Sequence, residues 1–217
     1  MSLRAVFLSD THGLHGQVAV PDGDVVVHCG DVSNVGESIE IGDFLRWFAA
    51  LPHRHKIFVA GNHDWIFLKQ PDAALSMVSI IAPGVHYLQD SGVAIDGLRF
   101  WGSPWQPEFC GWAFNLPRGK ALADKWATIP DDTNVLITHG PPQGIQDTIR
   151  PGGLSLGCSD LTARVQQLPQ LQLHAFGHIH GGYGEAERDG VRFVNASICT
   201  ELYQPTNAPI VVDIPSG

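Results

Sequence analysis

The chain has no basic run. Its 13 Lys and Arg face 22 Asp and Glu, a formal net charge of −9, and nowhere do the cations gather into a stripe. A protein that tracks a long phosphate backbone needs such a stripe, so long nucleic acids are disfavoured as substrates and anionic membranes as partners. No apolar stretch approaches the ~20 residues of a membrane helix. The apolar segment at the N-terminus is short and runs straight into Asp10, so no cleaved leader is expected and the protein reads as cytoplasmic. The four cysteines, Cys29, Cys110, Cys158 and Cys199, form no C-x-x-C pair and read as separate reduced thiols. Cys158, between Gly157 and Ser159, is the one that could sit near a site, with ordinary packing the simpler reading. Repeats, low-complexity tracts and linkers are missing too. The 217 residues therefore suit one domain, 1–217, with a full-sized core.

What the sequence does have is five polar segments, each directly after a short apolar run. They are Asp10-Thr11-His12, Gly30-Asp31, Gly61-Asn62-His63-Asp64, Thr138-His139-Gly140 and Gly177-His178-Ile179-His180. The preceding runs read as buried strands and the glycines as their ends. Five of the eleven histidines fall in these segments. A single histidine after a strand is usually a hydrogen-bonded residue of no special role, but that reading must hold independently at all five places. Asp10/His12 and His178/His180 are i, i+2 pairs, which extended backbone places on one side. Carboxylate, amide and imidazole donors without a cysteine suit Mn, with Fe, Zn, Ni or Co possible. This many donors suits two divalent ions.

Strand-like runs lie near 4–8, 25–29, 56–60, 85–88, 92–96, 98–101, 134–138, 173–176, 191–195 and 210–213. Between Glu37 and Leu51, apolar Ile41, Phe44, Leu45, Phe48 and Leu51 recur at helical spacing, and Pro52 ends the pattern. Glu37 and Glu40 fall in its first turn, where the helix dipole favours them. Further helices are predicted over 120–128 and 159–167, and over 65–80 with a break at Pro71. Segment 85–101 reads as antiparallel hairpins turning at Asp90-Ser91-Gly92 and Asp96-Gly97. An α/β (mixed α+β) protein with two mixed sheets face to face and helices outside accommodates the whole pattern.

The ordered set D-x-H, G-D, G-N-H-D, H-G and G-H-x-H resembles the calcineurin-like metallophosphoesterase superfamily over Asp10–His180. Gly102–Pro107, Phe176–Gly184 and Asn195–Ile214 resemble the smaller metallophosphoesterase-domain group within it. The resemblance implies a four-layer sandwich of two mixed sheets flanked by helices. It also implies a metal-dependent phosphoric ester hydrolase. Asp10, His12 and His180 would hold one ion, Asn62, His139 and His178 the other, and Asp31 would bridge them. A shared water, deprotonated by the two ions, would attack phosphorus. His63 resembles the family histidine that contacts the phosphate and assists the leaving oxygen, and Asp64 is expected to fix its tautomer and keep it protonated.

Relatives that act on phosphoproteins read G-D-x-x-D-R-G and G-N-H-E; here the segments are Gly30–Gly36 (GDVSNVG) and Gly61–Asp64 (GNHD). Small phosphodiesters, including cyclic nucleotides, are therefore the expected substrates. Phosphomonoesterase, nuclease and a metal-binding scaffold without turnover are the alternatives. Trp101, Trp105, Phe109, Trp112 and Phe114 crowd one loop-like stretch. Most would cap the core, and Trp105, between prolines, is the one expected to meet substrate together with Asn62 and His63.

Overall fold

A computed structural model describes residues 2–150 and 152–215. The first part of the chain alternates strand and helix: β1 (Ser2–Leu8), β2 (Val25–His28), α1 (Ser38–Ala50), β3 (His55–Phe58), α2 (Trp65–Lys69), α3 (Pro71–Ile81) and β4 (Val85–Tyr87). Next come β5 (Ser91–Ile95), β6 (Leu98–Ser103), the two-residue pair β7 (Gln106–Pro107) and β8 (Asn115–Leu116), α4 (Lys120–Trp126) and β9 (Val135–Thr138). The last part holds α5 (Ser159–Val165), β10 (Leu173–Phe176), β11 (Gly184–Arg188), β12 (Val191–Asn195) and β13 (Ile210–Pro215).

These strands form two large mixed sheets. One has the order β13-β1-β2-β3-β4 and the other β11-β12-β10-β9-β6-β5. The inner strands are parallel, and β13, β11 and β5 add antiparallel edges. Alternation along each strand explains the layering. Ala5 and Phe7 of β1 meet Val135, Ile137 and Ala175 in the core between the sheets. Val6 and Leu8 point the other way, toward Ile41, Phe44 and Phe48 of α1. On the far side, Leu136 and Phe176 pack against Leu122 and Trp126 of α4 and Leu161 of α5. The product is a four-layer α/β/β/α sandwich.

Local signals account for most boundaries. Glu40 accepts a hydrogen bond from the Glu37 N–H in the first turn of α1. Pro71 separates α2 from α3 and starts the second helix, where its missing N–H costs nothing. Asp96 and Gly97 both take positive φ, 48° and 84°, and turn the β5–β6 hairpin.

One expectation is corrected, and one strand is unexpected. No hairpin forms at Asp90-Ser91-Gly92: β4 pairs with β3 in the first sheet and β5 with β6 in the second. The chain crosses between sheets there, and Asp90 (φ 48°) anchors the crossing by accepting from Ser103, Trp105 and Lys125. The charged segment Gly184–Arg188 is an edge strand, joined to β12 by Asp189-Gly190, both at positive φ. Polar composition hid it, as suits an edge that faces solvent.

Candidate metal centre

Every parallel inner strand ends at the same rim. The chain leaves β1 at Leu8 toward Asp10, β2 at His28 toward Asp31 and β3 at Phe58 toward Asn62, while β9 and β10 lead to His139 and His178. The two sheets touch at this rim through a bridge between Ser9 and Ser197. To aim side chains inward, the backbone turns sharply: Asp10, His12, Asp31 and His178 all have positive φ, between 44° and 68°. That conformation is costly for residues with a Cβ and persists where surrounding structure enforces it, as at functional sites. Two glycines make the crowding possible. A Cβ at Gly177 would lie 2.0 Å from Asp10 Oδ2, and one at Gly61 would lie 2.2 Å from Asp31 Oδ1.

The result is a buried cluster of donors. Asp10, His12 and His180 form one group and Asp31, His139 and His178 another, each with ligand atoms within 4.8 Å of one another; Asp31 also groups with His12 and His63. His12 Nε2 and His180 Nε2 are 3.3 Å apart, and His180 Nε2 is 3.5 Å from Asp10 Oδ1. His139 Nε2 is 3.0 Å from Asn62 Oδ1 and 3.4 Å from Asp31 Oδ2. All seven candidate ligands therefore converge.

The donors fit divalent cations. His139 Nδ1 donates to the Cys29 carbonyl and His180 Nδ1 to the Thr200 carbonyl, both at 3.0 Å. A carbonyl can only accept, so each Nε2 faces the cluster unprotonated in the neutral ring, as a metal ligand would need. Ser197 Oγ donates to Asp10 Oδ2 at 2.9 Å, and the His178 N–H donates to the same carboxylate. Burial pulls the Asp10 and Asp31 carboxyls upward, yet His180 beside the first and His139 beside the second hold both below the ordinary carboxylate range. Burial disfavours charged imidazoles, but the carboxylates raise His139 and His180 to about 9. The cluster thus calls for positive charge, which a cation ligated through the same Nε2 atoms supplies. His178, by contrast, is pushed down to about 3, chiefly by burial, so its imidazole is neutral as a metal ligand would have to be.

His63 stands at the edge of the cluster with Nε2 4.0 Å from Asp31 Oδ2. The expected partnership with Asp64 is absent. Asp64 is fully buried on the opposite side, where it accepts from the N–H groups of Val32, Ser33 and Gly61 and from Ser33 Oγ. Burial and the nearby Asp31 charge raise its carboxyl to about 6. The tautomer of His63 is set instead by the Asn34 carbonyl, which accepts from Nδ1 at 2.5 Å. Gly61–Asp64 is a tight turn, closed by the Asp64 N–H on the Gly61 carbonyl at 3.2 Å, and it sends the two neighbouring side chains apart.

Trp105 is also corrected. Its indole N–H donates to Asp90 Oδ2 at 2.9 Å, its ring packs edge-on against Phe114, and Lys125 lies over it. It braces the sheet crossing and lines no part of the cavity at the cluster. Phe109 and Tyr203 line that cavity instead, and Trp112 backs His63. Trp112 stacks on His63 at 4.3 Å, Phe109 meets His178 edge-on at 5.7 Å, and Tyr203 lies 4.8 Å from His12. Phe109 and Trp112 belonged to the predicted aromatic stretch, whereas nothing local marked Tyr203. Cys158 is packed: its Sγ accepts from Trp126 and from the Leu161 N–H at the start of α5.

Comparison with known proteins agrees with this picture. The family model described as calcineurin-like phosphoesterase matches residues 3–182. Human metallophosphoesterase domain-containing protein 1 is 43% identical over 232 residues, covering 98% of this chain and 71% of its own. A UPF0046 protein of Caenorhabditis elegans is 40% identical over 223 residues, with 98% and 76% covered. A crystal structure from Thermus thermophilus superposes with a TM-score of 0.60 at 14% identity, over 90% of this chain and 89% of that one. That likeness concerns the fold alone.

Proposed function

The chain belongs to the calcineurin-like phosphoesterase family, and from that premise we propose that it is a dinuclear-metal phosphodiesterase acting on small diesters, cyclic nucleotides among them. One observation carries the dinuclear reading. The Asp31 carboxylate stands between the two ligand groups, 3.9 Å from His12 Nε2 and 3.4 Å from His139 Nε2. Two cations about 4 Å apart repel strongly unless an anion is shared between them, and Asp31 is placed to be that anion. Asp10, His12 and His180 complete one side; Asn62, His139 and His178 complete the other. Manganese heads the candidates because the donors are oxygen and imidazole nitrogen, with no thiolate.

When bound, such ions act as Lewis acids toward phosphoryl oxygens and lower the pKa of water at the site. The chain's own residues supply the rest. His63 has its Nδ1 proton engaged by the Asn34 carbonyl, so Nε2 faces the cluster, and in the imidazolium form it is the Nε2 proton that would pass to the departing oxygen. Glu40 accepts from the N–H groups of Asn34 and Val35, which holds the carbonyl that orients His63. The ligands that carry charge are buried, so water competes little for them. The diester preference has a charge argument. Arg118 reaches the cavity, but its guanidinium already donates to the carbonyls of Leu156 and Gly157, both at 2.8 Å. No other Lys or Arg lines the cavity among the described residues, so the second charge of a monoester would meet only this one, partly committed guanidinium.

Hydrolysis of bis(p-nitrophenyl) phosphate and p-nitrophenyl phosphate tests this, with Mn supplied and then removed by chelation. The diester should be the better substrate, and chelation should abolish turnover. Protein that holds two metals and cleaves neither ester would overturn the enzymatic reading in favour of a binding scaffold.

A further inference from the structure

We propose that the cavity contains, opposite the ligand cluster, a preformed apolar subsite for the hydrocarbon arm of a phosphodiester, an inference that rests on the phosphoesterase reading above. One cavity of about 310 Å³ is shared by the cluster and by Pro107, Phe109, Ile149, Leu156 and Tyr203. Phe109, Ile149, Leu156 and Tyr203 are 46, 51, 37 and 49% exposed, and they come from three separate loops. Large apolar side chains left facing solvent singly need no explanation. Several converging on one cavity beside a reactive centre mark a ligand surface.

This wall is held in place. Asp147, itself buried, accepts from the N–H groups of Gly144 and Gly157 and from Ser155 Oγ, and its carbonyl accepts from the Leu156 N–H. Arg118 clamps the same segment through the Leu156 and Gly157 carbonyls. The loop then lies directly on the ligand loop. A Cβ at Gly181 would sit 1.9 Å from the Ile149 carbonyl oxygen, and one at Gly182 would sit 2.0 Å from that of Gln146. Metal ligation gives no reason for two glycines after His180; seating this apolar loop beside the ligands does.

The polar groups near the wall are already committed or wrongly charged for a second anion. Arg118, the one Lys or Arg of the lining among the described residues, spends two donors on the Gly157 and Leu156 carbonyls, Glu201 accepts from the Gly181 N–H at 2.6 Å, and Glu108 is acidic. A ligand with one negative charge and an apolar arm suits both halves of the cavity. A polyanion does not.

The test measures binding of dimethyl, diethyl and dibutyl phosphate to the Mn-loaded protein by calorimetry. Burying an arm should tighten binding roughly threefold per methylene, hence roughly 30-fold from dimethyl to dibutyl. The Ile149→Ser/Leu156→Ser double variant should shrink that ratio below about threefold. Leu154→Ser, at a residue 83% exposed and outside the cavity lining, should keep the parental ratio. Should the double variant lose its metal, Phe109→Ala leaves the 144–158 loop intact and serves for the same comparison. A flat series in the parent, or a series undiminished in the cavity variants, overturns the subsite. Failure of the two readings is distinguishable: hydrolysis of bis(p-nitrophenyl) phosphate with a flat series sinks only the subsite. A steep series without hydrolysis sinks only the enzymatic reading.

Discussion

One wall of the cavity grows from strand ends, and the facing wall grows from loops. The strand-end wall is polar and buried; Asp10, Asp31, Asn62, His139 and their neighbours are fixed by backbone leaving the parallel inner strands of two mixed sheets. The loop wall is apolar and half-open, built from segments near Phe109, Leu156 and Tyr203. Strand ends can aim a side chain accurately because hydrogen bonds to adjacent strands fix their positions. Strained φ values at Asp10, His12, Asp31 and His178 survive only in such a setting. Loops lack that scaffold and must be pinned one contact at a time, here by Asp147 and Arg118. In the proposed reading, chemistry would reside in the rigid wall and selectivity in the adaptable one.

The largest effect should come from the centre of the rigid wall. Asp31→Ala removes the carboxylate shared by both ligand groups, so elemental analysis should find both metals depleted and turnover reduced by about 10³-fold or more. Retention of one full equivalent of metal would show that Asp31 serves a single side. His63→Ala should keep both metals and lower turnover by roughly 10²–10⁴-fold. Metal loss in that variant would make His63 a ligand instead of a proton donor.

Asp64 tests whether the rigid wall depends on its buried brace. Asp64→Ala leaves three backbone N–H groups and the Ser33 hydroxyl without an acceptor and should cost about 3–5 kcal/mol in chemical denaturation. A loss below about 1 kcal/mol would mean that water replaces the carboxylate there.

His174 sits beneath the same wall, fully buried, with Nε2 on Thr138 Oγ1 and Nδ1 unpartnered; burial pushes it to about 3. An unfolded histidine titrates near 6.5, so below that pH the unfolded chain binds a proton that the folded chain refuses. Stability present above about pH 6.5 is therefore lost on acidification toward about pH 3, by about 2 kcal/mol from this residue at about pH 5. His174→Gln should remove that share of the slope, read as urea midpoints at about pH 7.5 and about pH 5 in chelator. An unchanged slope would contradict the assignment.

The smallest effect is expected from Trp105, which looks in sequence like part of the loop wall and is not. Trp105→Phe should lose one hydrogen bond to Asp90, about 1–2 kcal/mol, and leave KM for a diester unchanged. A rise in KM would return it to the substrate side.

Legibility followed the same division. The five apolar runs and their polar ends placed every candidate ligand at a strand terminus, and the helix spacing from Ile41 to Phe48 matches a buried face. The strand at 184–188 carried a signal, Asp189-Gly190, that its charged composition obscured. The crossing at Asp90 carried none, because a turn sequence does not reveal which sheet the next strand will join. For the same reason Asp64 and Trp105 drew roles that their neighbours in space did not support.

Ligand types, their order and their place at strand ends follow from the sequence alone, since a period of two and a glycine stop are local properties. Which carboxylate lies between the two donor groups, which carbonyl meets His63 and which aromatics face the cavity emerge only once the two sheets are packed together. Those depend on contacts between residues distant in the chain. Asp31 meets His139 across 108 positions and His12 meets Tyr203 across 191, and no local pattern encodes such separations.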